Sequence, residues 1–266
     1  MAEDNRKRQD TNIDLYTALT PNGQKANIIC EELNLTYTVH PIDLSKNEQK
    51  SPEFLKINPN GRIPAMVDNT QSKPNTPKRI FESGAMLLYL CEKYDVVDRR
   101  LSFQYDSDQY WEVVEWIMWM QGGLGPMQGQ ANHFYRYAPE KIGYAIHRYQ
   151  TETKRLYQVL EDRLAEQEAR GEGLWLVGGK YTIADLNAFC WVNWAEWAGV
   201  SLENFQNVQR WVATINDRPA VQRGLNTPSK FDMKEKLKTK EGEEEYAKYH
   251  SNWVMQGMKD DSEKHS

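Results

Sequence analysis

Three short stretches of this chain combine residue types that could hold a small ligand with charge at both ends. The first is Thr20-Pro21-Asn22-Gly23, followed by Ala26, Ile29, Cys30 and Leu33 at helical spacing. A helix starting near Gly23 after a strand leaves free backbone N–H groups, which together with the dipole favour an anion. Asn22 adds an amide donor, and Gly23 has no side chain to keep a ligand away. Pro-Asn-Gly is also ordinary turn chemistry, which explains the same residues without a ligand. The second stretch, Asn58-Pro59-Asn60-Gly61-Arg62-Ile63-Pro64-Ala65, carries a proline into a strand. A cis Ile63-Pro64 bond would turn the N–H and C=O of Ile63 outward, where an extended peptide could pair with them. A proline in a plain turn is the competing explanation. The third stretch, Phe81-Glu82-Ser83-Gly84-Ala85, passes from strand to helix. The Ser83 hydroxyl and its free N–H suit a carboxylate and Glu82 suits an ammonium group, the two ends of an α-amino acid. A serine N-cap accounts for Ser83 equally well but leaves Glu82 unexplained.

The elements that must position these stretches alternate between strand and helix over residues 11–95. Residues 13–16 alternate apolar and polar and read as a half-buried strand. Helix 23–33, strand 37–42 and a short helical turn at 51–56 follow, the turn with Pro52 in its first position. Strands at 65–67 and 79–81 flank a polar loop at 72–77, and helix 84–94 closes the unit. The order β-α-β-α-β-β-α gives an α/β domain whose mixed sheet is covered by helices. Residues 1–10 read as a disordered leader and 96–106 as a linker. From 107 to 225 strand signals vanish. Helices are predicted at 110–120, stopped by Gly122-Gly123, and at 139–168, stopped by Gly171 and Gly173. Further helices are predicted behind a Thr182/Asp185 capping box and at 208–215. Residues 226–266 read as a charged tail, either free or docked as a helix through Tyr246, Tyr249, Trp253, Val254 and Met258.

Composition removes several classes of function. With 266 residues, a net charge of −5 and 27% charged residues, the chain has no basic footprint for nucleic acid or an anionic membrane surface. No apolar run approaches the roughly 20 residues that span a bilayer, and the charged N-terminus is not a secretory signal. Three scattered cysteines make neither a disulfide framework nor a Cys-x-x-Cys pair, and five scattered histidines make no metal site. A reducing, cytoplasmic compartment is expected. Trp191, Trp194 and Trp197, like Trp116 and Trp119, recur at spacing that suits a core. Trp116 or Trp119 could instead line an apolar pocket.

The three stretches, together with Gly125-Pro126-Met127-Gln128-Gly129-Gln130 and His133-Phe134, resemble one branch of the cytosolic glutathione transferases. That branch holds the bacterial nu-class disulfide-bond oxidoreductases and the fungal nitrogen-regulator-like transferases. The resemblance covers about 11–225. It implies a thioredoxin-like glutathione-binding domain, an all-α glutathione transferase C-terminal domain, and glutathione as co-substrate without a metal. By it, Asn22 stands where other classes place tyrosine, serine or cysteine and is the catalytic residue. Thr20, Asn22, Gln49, Arg62, Ile63, Pro64, Glu82 and Ser83 would bind glutathione, with Trp116, Trp119, His133 and Arg136 towards the acceptor. The implied activity is thiol conjugation to small electrophiles, with disulfide-bond oxidoreductase and peroxidase activity beside it. The implied assembly is a homodimer through the N-terminal domain and the helix carrying Tyr110, Trp111 and Val114. The alternatives are a catalytically weak regulator on the same fold, or a module whose helical half docks another protein. The fungal regulator's Asn/Gln-rich segment is missing from this sequence.

Overall fold

A computed structural model of the chain describes residues 7–70 and 76–265. Residues 1–6 of the expected leader and 72–75 of the expected polar loop lie outside the described residues, as do the side chains of Tyr249 and Trp253. The first domain is built on four strands: β1 (Gln9–Thr17), β2 (Leu35–Pro41), β3 (Ala65–Asp68) and β4 (Lys78–Phe81). Their order is β2-β1-β3-β4, with β1 and β2 parallel and the other pairs antiparallel. The parallel pair needs a crossover, which α1 (Pro21–Glu32) supplies. Strand β1 starts earlier than its apolar alternation because Gln9 is already paired with Leu35 of β2. Residues 9 and 10 of the expected leader are therefore ordered strand. The short α2 (Pro52–Leu55) and α3 (Ser83–Tyr94) complete the unit.

Helix α1 is buried on nearly every face, although its sequence is not uniformly apolar. Ile28, Ile29 and Cys30 enter the core shared with Ile13 and Leu15 of β1. Several polar residues on its other side bond to the second domain. Gln24 Oε1 accepts from Trp194 Nε1 at 2.9 Å, and Glu32 and Glu31 pair with Arg218 and Arg223, each at 2.6 Å. Buried charges are tolerated only when paired in this way. The arginines flank or lie on α9 (Pro219–Leu225), where a Cβ on Gly224 would fall 2.6 Å from the Ile28 backbone. A side chain at 224 would therefore lift the two helices apart.

The helical domain departs from the expected pattern at Gly122-Gly123. Instead of stopping a helix, these glycines fall within a π-turn, Met120–Leu124, that joins α4 (Asp108–Trp119) to α5 (Gly125–Asn132). A second π-turn, His133–Tyr137, extends the run. Glycine disfavours a helix interior by only about 1 kcal/mol, which packing against α6 (Gly143–Ala169) offsets. Helix α7 (Ile183–Val192) opens on the expected capping box: Thr182 N donates to Asp185 Oδ2 at 2.9 Å and Thr182 Oγ1 accepts from the first turn. A short turn at Ala195–Ala198 and α8 (Gln206–Asn216) precede α9. The tail folds back as α10 (Met233–Lys236) and α11 (Lys240–His265), docked by Met233 and Tyr246 on Trp194 and Trp197.

Candidate active site

The site is assembled where α1 and α3 begin, because both helix starts lie at one end of the sheet. Helix α1 starts at Pro21, two residues before the expected Gly23, with Thr20 as its N-cap; Thr20 Oγ1 accepts from Gly23 N at 3.1 Å. Proline at the first position has no N–H to leave unsatisfied. Gly23 serves the chain rather than a ligand: a Cβ there would sit 2.1 Å from the Ala18 carbonyl oxygen. Asn22 follows, half-buried, and its Oδ1 accepts from Trp191 Nε1 of α7 at 3.0 Å. Indole is a donor only, so the amide oxygen must face it and the amide N–H2 is left for a ligand.

The start of α3 is the second half of the site. Glu82 precedes it at φ +68°, a backbone region that non-glycine residues seldom occupy. Its carboxylate is exposed, while Ser83 is buried as the first helical residue. Beneath Ser83 lies Lys25, fully buried on α1. Its Nζ donates to Gln121 Oε1 at 3.0 Å and to Ser83 Oγ at 3.4 Å. Burial pushes the Lys25 ammonium down to about 7, against the opposing pull of Cys190 and Glu82. A lysine that carries its proton only in part at neutral pH thus stands behind the hydroxyl expected to receive a carboxylate, and no local pattern signalled it.

The Ile63-Pro64 bond is cis, as the proline before the strand suggested. Asn58 Nδ2 donates to the Arg62 carbonyl at 2.6 Å and fixes the loop ahead of it. Gln49 is buried, and its Oε1 has no hydrogen-bond partner among the described residues. One cavity of about 810 Å³ is lined by Thr20, Asn22, Gln49, Arg62, Ile63, Pro64, Glu82, Ser83 and His133. Burial pushes His133 down from its ordinary value, favouring the neutral ring.

Three of the expected acceptor residues are placed elsewhere. Trp116 and Trp119 pack edge to face at 5.1 Å against the core rather than in the cavity wall. Arg136 turns towards the tail, where it pairs with Glu243 and donates to the carbonyls of Trp197 and Glu196. The cavity wall instead includes Pro126, Phe134, Tyr137, Trp191, Trp194 and the α11 residues His250, Val254, Gly257 and Met258. Trp191 and Trp194 were legible only as a core stripe, since helical spacing does not reveal which ring reaches another domain.

The three cysteines are buried free thiols. Burial pushes Cys190 up to about 12 and raises Cys30 and Cys91 well above the ordinary thiol range. A thiol in that state supplies almost no thiolate for attack at neutral pH. Among the described residues no cluster of His, Cys, Asp and Glu could hold a metal ion, and no helix is long and apolar enough to cross a membrane.

Comparison with known proteins agrees with this geometry. Residues 11–92 match the glutathione S-transferase N-terminal domain and residues 132–219 match the C-terminal domain. The chain is 43% identical over 213 residues to the disulfide-bond oxidoreductase YfcG of Escherichia coli, covering 80% of this chain and 94% of that protein. It is 38% identical over 223 residues to the glutathione S-transferase-like protein tpcF of Aspergillus fumigatus, with the same coverage of each. A solved glutathione transferase homologue from Lodderomyces elongisporus, holding two glutathione molecules per subunit, superposes with a TM-score of 0.78. It is 39% identical, over 82% of this chain and 99% of its own. With both domain models matched and these relatives covered almost end to end, the chain belongs to the glutathione S-transferase family.

Proposed function

We propose that the cavity binds glutathione with its sulfur at Asn22, and that the chain transfers this thiol to electrophiles and to disulfides. The carrying observation is the single cavity that gathers Asn22, Ile63, Glu82 and Ser83, with the Asn22 amide oriented by Trp191. Ser83, backed by Lys25, receives the γ-glutamyl carboxylate, and Glu82 receives its ammonium group. The backbone of Ile63 pairs with the cysteinyl unit, Arg62 flanks it, Pro64 and Thr20 shape the floor, and Gln49 meets the glycyl end.

Asn22 has no basic atom that could take the thiol proton, so its part is to donate one hydrogen bond to the sulfur. Acidifying a thiol from pKa 8.5 to 6.5 would raise its ionised fraction about 25-fold at pH 7. The accompanying loss of nucleophilicity, at a Brønsted slope near 0.4–0.5, returns about six- to tenfold of that. Acidification therefore contributes only about threefold net, and holding the sulfur in line with its acceptor contributes more. In disulfide reduction, glutathione thiolate attacks one sulfur of RSSR, forming the mixed disulfide and releasing RS⁻. A second glutathione thiolate attacks the mixed disulfide, giving oxidised glutathione and a second RS⁻. Protons from the two glutathione thiols end on the two released thiols, and no protein cysteine takes part.

The same reading includes a cytoplasmic homodimer. Helix α4 leaves Trp111 and Met118, seven residues apart on one face, 49% and 55% exposed. Tyr110, expected at that interface, is instead turned inward. Reduction of hydroxyethyl disulfide coupled to glutathione reductase, beside conjugation of chlorodinitrobenzene, tests the activity. Glutathione binding with measurable turnover supports it; a folded chain that binds no glutathione overturns it.

A further inference from the structure

Lys25 is fully buried on α1, and side-chain atoms from two other elements converge on its Nζ. Gln121 Oε1 lies at 3.0 Å, Ser83 Oγ at 3.4 Å and Met120 Sδ at 3.6 Å. Ser83 comes from α3, and Met120 and Gln121 come from the π-turn after α4. Gly84 makes room for this arrangement, since a Cβ there would fall 3.1 Å from the Gln121 side chain. Ser83 and Gln121 line the cavity, so the amine sits just behind its wall.

The three neighbours differ in what they can do. An ammonium has three N–H donors and no lone pair, so it uses all three as acceptors. The Ser83 hydroxyl hydrogen must then point away from the amine, towards the cavity. A neutral amine has two donors and one lone pair. It donates to Gln121 Oε1 and Met120 Sδ, and its lone pair accepts the Ser83 O–H, which turns inward. Both states are satisfied, and only the direction of one hydroxyl changes. An outward O–H can donate to a carboxylate, whereas an inward one presents only oxygen lone pairs to it.

Both states are populated near neutral pH. Burial lowers the Lys25 ammonium to about 7, against the pull of Cys190 on α7 and of Glu82 ahead of α3. Cys190 is itself pushed up to about 12 by burial and stays a thiol. Asp185 of α7 is turned to Thr182, Leu176 and Trp211. Arg218 and Arg223, beside and on α9, are engaged by Glu32 and Glu31 at the far end of α1.

We propose that Lys25 is a positioning residue whose proton turns the Ser83 hydroxyl towards the γ-glutamyl carboxylate, so that ligand binding draws a proton from solvent onto Lys25. The inference rests on the glutathione reading of the cleft. The carboxylate favours the ammonium twice, through the Ser83 O–H and through attraction that burial leaves poorly screened. Binding to a chain with neutral Lys25 therefore takes one proton from the buffer, and affinity falls as pH rises through about 7.

Calorimetry of S-methylglutathione binding to the full-length chain, in phosphate and in imidazole buffers, counts the protons exchanged. This ligand has no thiol to ionise, and its amino group is common to the two chains compared, wild type and Lys25→Met. At pH 7.5 about three quarters of free Lys25 is neutral, so wild type is expected to take up roughly half a proton or more beyond Lys25→Met. At pH 6 that difference is expected to vanish. Between pH 6 and 8 wild-type affinity is expected to fall about five- to tenfold relative to the variant. A residue that only packs the helix would change affinity equally at every pH. Equal proton uptake by the two chains at pH 7.5 overturns the proposal and leaves the glutathione reading standing. Failure of wild type to bind S-methylglutathione at either pH overturns that reading, and this inference with it. If Lys25→Met does not fold, Gln121→Leu decides. Withdrawing one acceptor from the ammonium is expected to move the fall in affinity about one pH unit lower, and an unmoved profile overturns the proposal.

Discussion

Trp191 of the helical domain donates its indole N–H to the side-chain oxygen of Asn22, at 3.0 Å, across 169 residues of sequence. This bond fixes which end of the amide faces the cavity. Removing it and removing the amide are therefore separable experiments.

Asn22→Ala is expected to leave glutathione affinity within about twofold, because Glu82, Ser83 and the Ile63 backbone remain. Turnover is expected to fall about 10- to 100-fold, or about 1.4–2.7 kcal/mol, the worth of one hydrogen bond to a charged group. Steady-state kinetics normalised to the folded fraction checks this. Unchanged turnover with a lowered melting temperature would reduce Asn22 to a turn residue.

Trp191→Phe keeps an aromatic ring but removes the donor. The amide can then rotate, and turnover is expected to drop about three- to tenfold, the scale of one neutral hydrogen bond. In an Asn22→Ala background the same change should do almost nothing, because the atom it orients is gone. Additive losses in the double variant would contradict an orienting role.

Lys25 gives a pH signature. An unfolded lysine keeps its proton to about pH 10.4, whereas buried Lys25 releases it near 7. Between those values the unfolded state binds more protons, so Lys25 makes stability rise with pH from about 7 towards 10. Urea unfolding at pH 7 and 9.5 should show wild type gaining on Lys25→Met as pH rises. Parallel behaviour of the two chains would show that Lys25 is not held away from water.

The buried thiols are expected to be spectators. Native chain treated with iodoacetamide should keep its disulfide-reducing turnover and take up label only after unfolding, read by mass spectrometry. Loss of activity in step with labelling of Cys190 would assign the redox chemistry to the protein.

Asp185 is the structural counterpart of the site, holding α7 and therefore Trp191. It accepts from Thr182 N, Leu176 N and Trp211 Nε1 at 2.9–3.0 Å. Asp185→Ala strands those donors and is expected to lower stability by roughly 3–5 kcal/mol, against less for Asp185→Asn, which keeps one acceptor. Equal losses would mean that packing, not donor satisfaction, is what Asp185 provides.

Much of this architecture is legible in local pattern. The β-α-β and β-β-α halves follow from periodicity and turn residues, and the Thr182/Asp185 cap from spacing alone. The Thr20, Ile63 and Ser83 stretches converge because each adjoins a strand terminus at the same end of the sheet. What stayed hidden depends on partners far along the chain. Lys25 and Gln24 look like an exposed helix face until the second domain covers them. Trp116 and Trp119 share the helical spacing of Trp191 and Trp194, and only tertiary packing decides which pair meets the cavity. Gly122-Gly123 carries a stop signal that a π-turn overrides.

The clamp between α1 and α9 bears on what counts as a unit in this protein. Glu31 and Glu32 sit at the C-terminal end of α1, where the helix dipole already opposes negative charge. Arg218 from the second domain pairs with Glu32, and Arg223 joins Arg8 of the first domain on Glu31. A polypeptide cut in the linker would keep the complete sheet and all three ligand-facing stretches. It would also keep Glu32 without Arg218, Glu31 with Arg8 alone at 3.1 Å, and an apolar helix face laid open. The first domain is thus autonomous in topology but dependent for its stability, and the intact protein should melt in one transition, with its ligand-facing residues lost together rather than domain by domain.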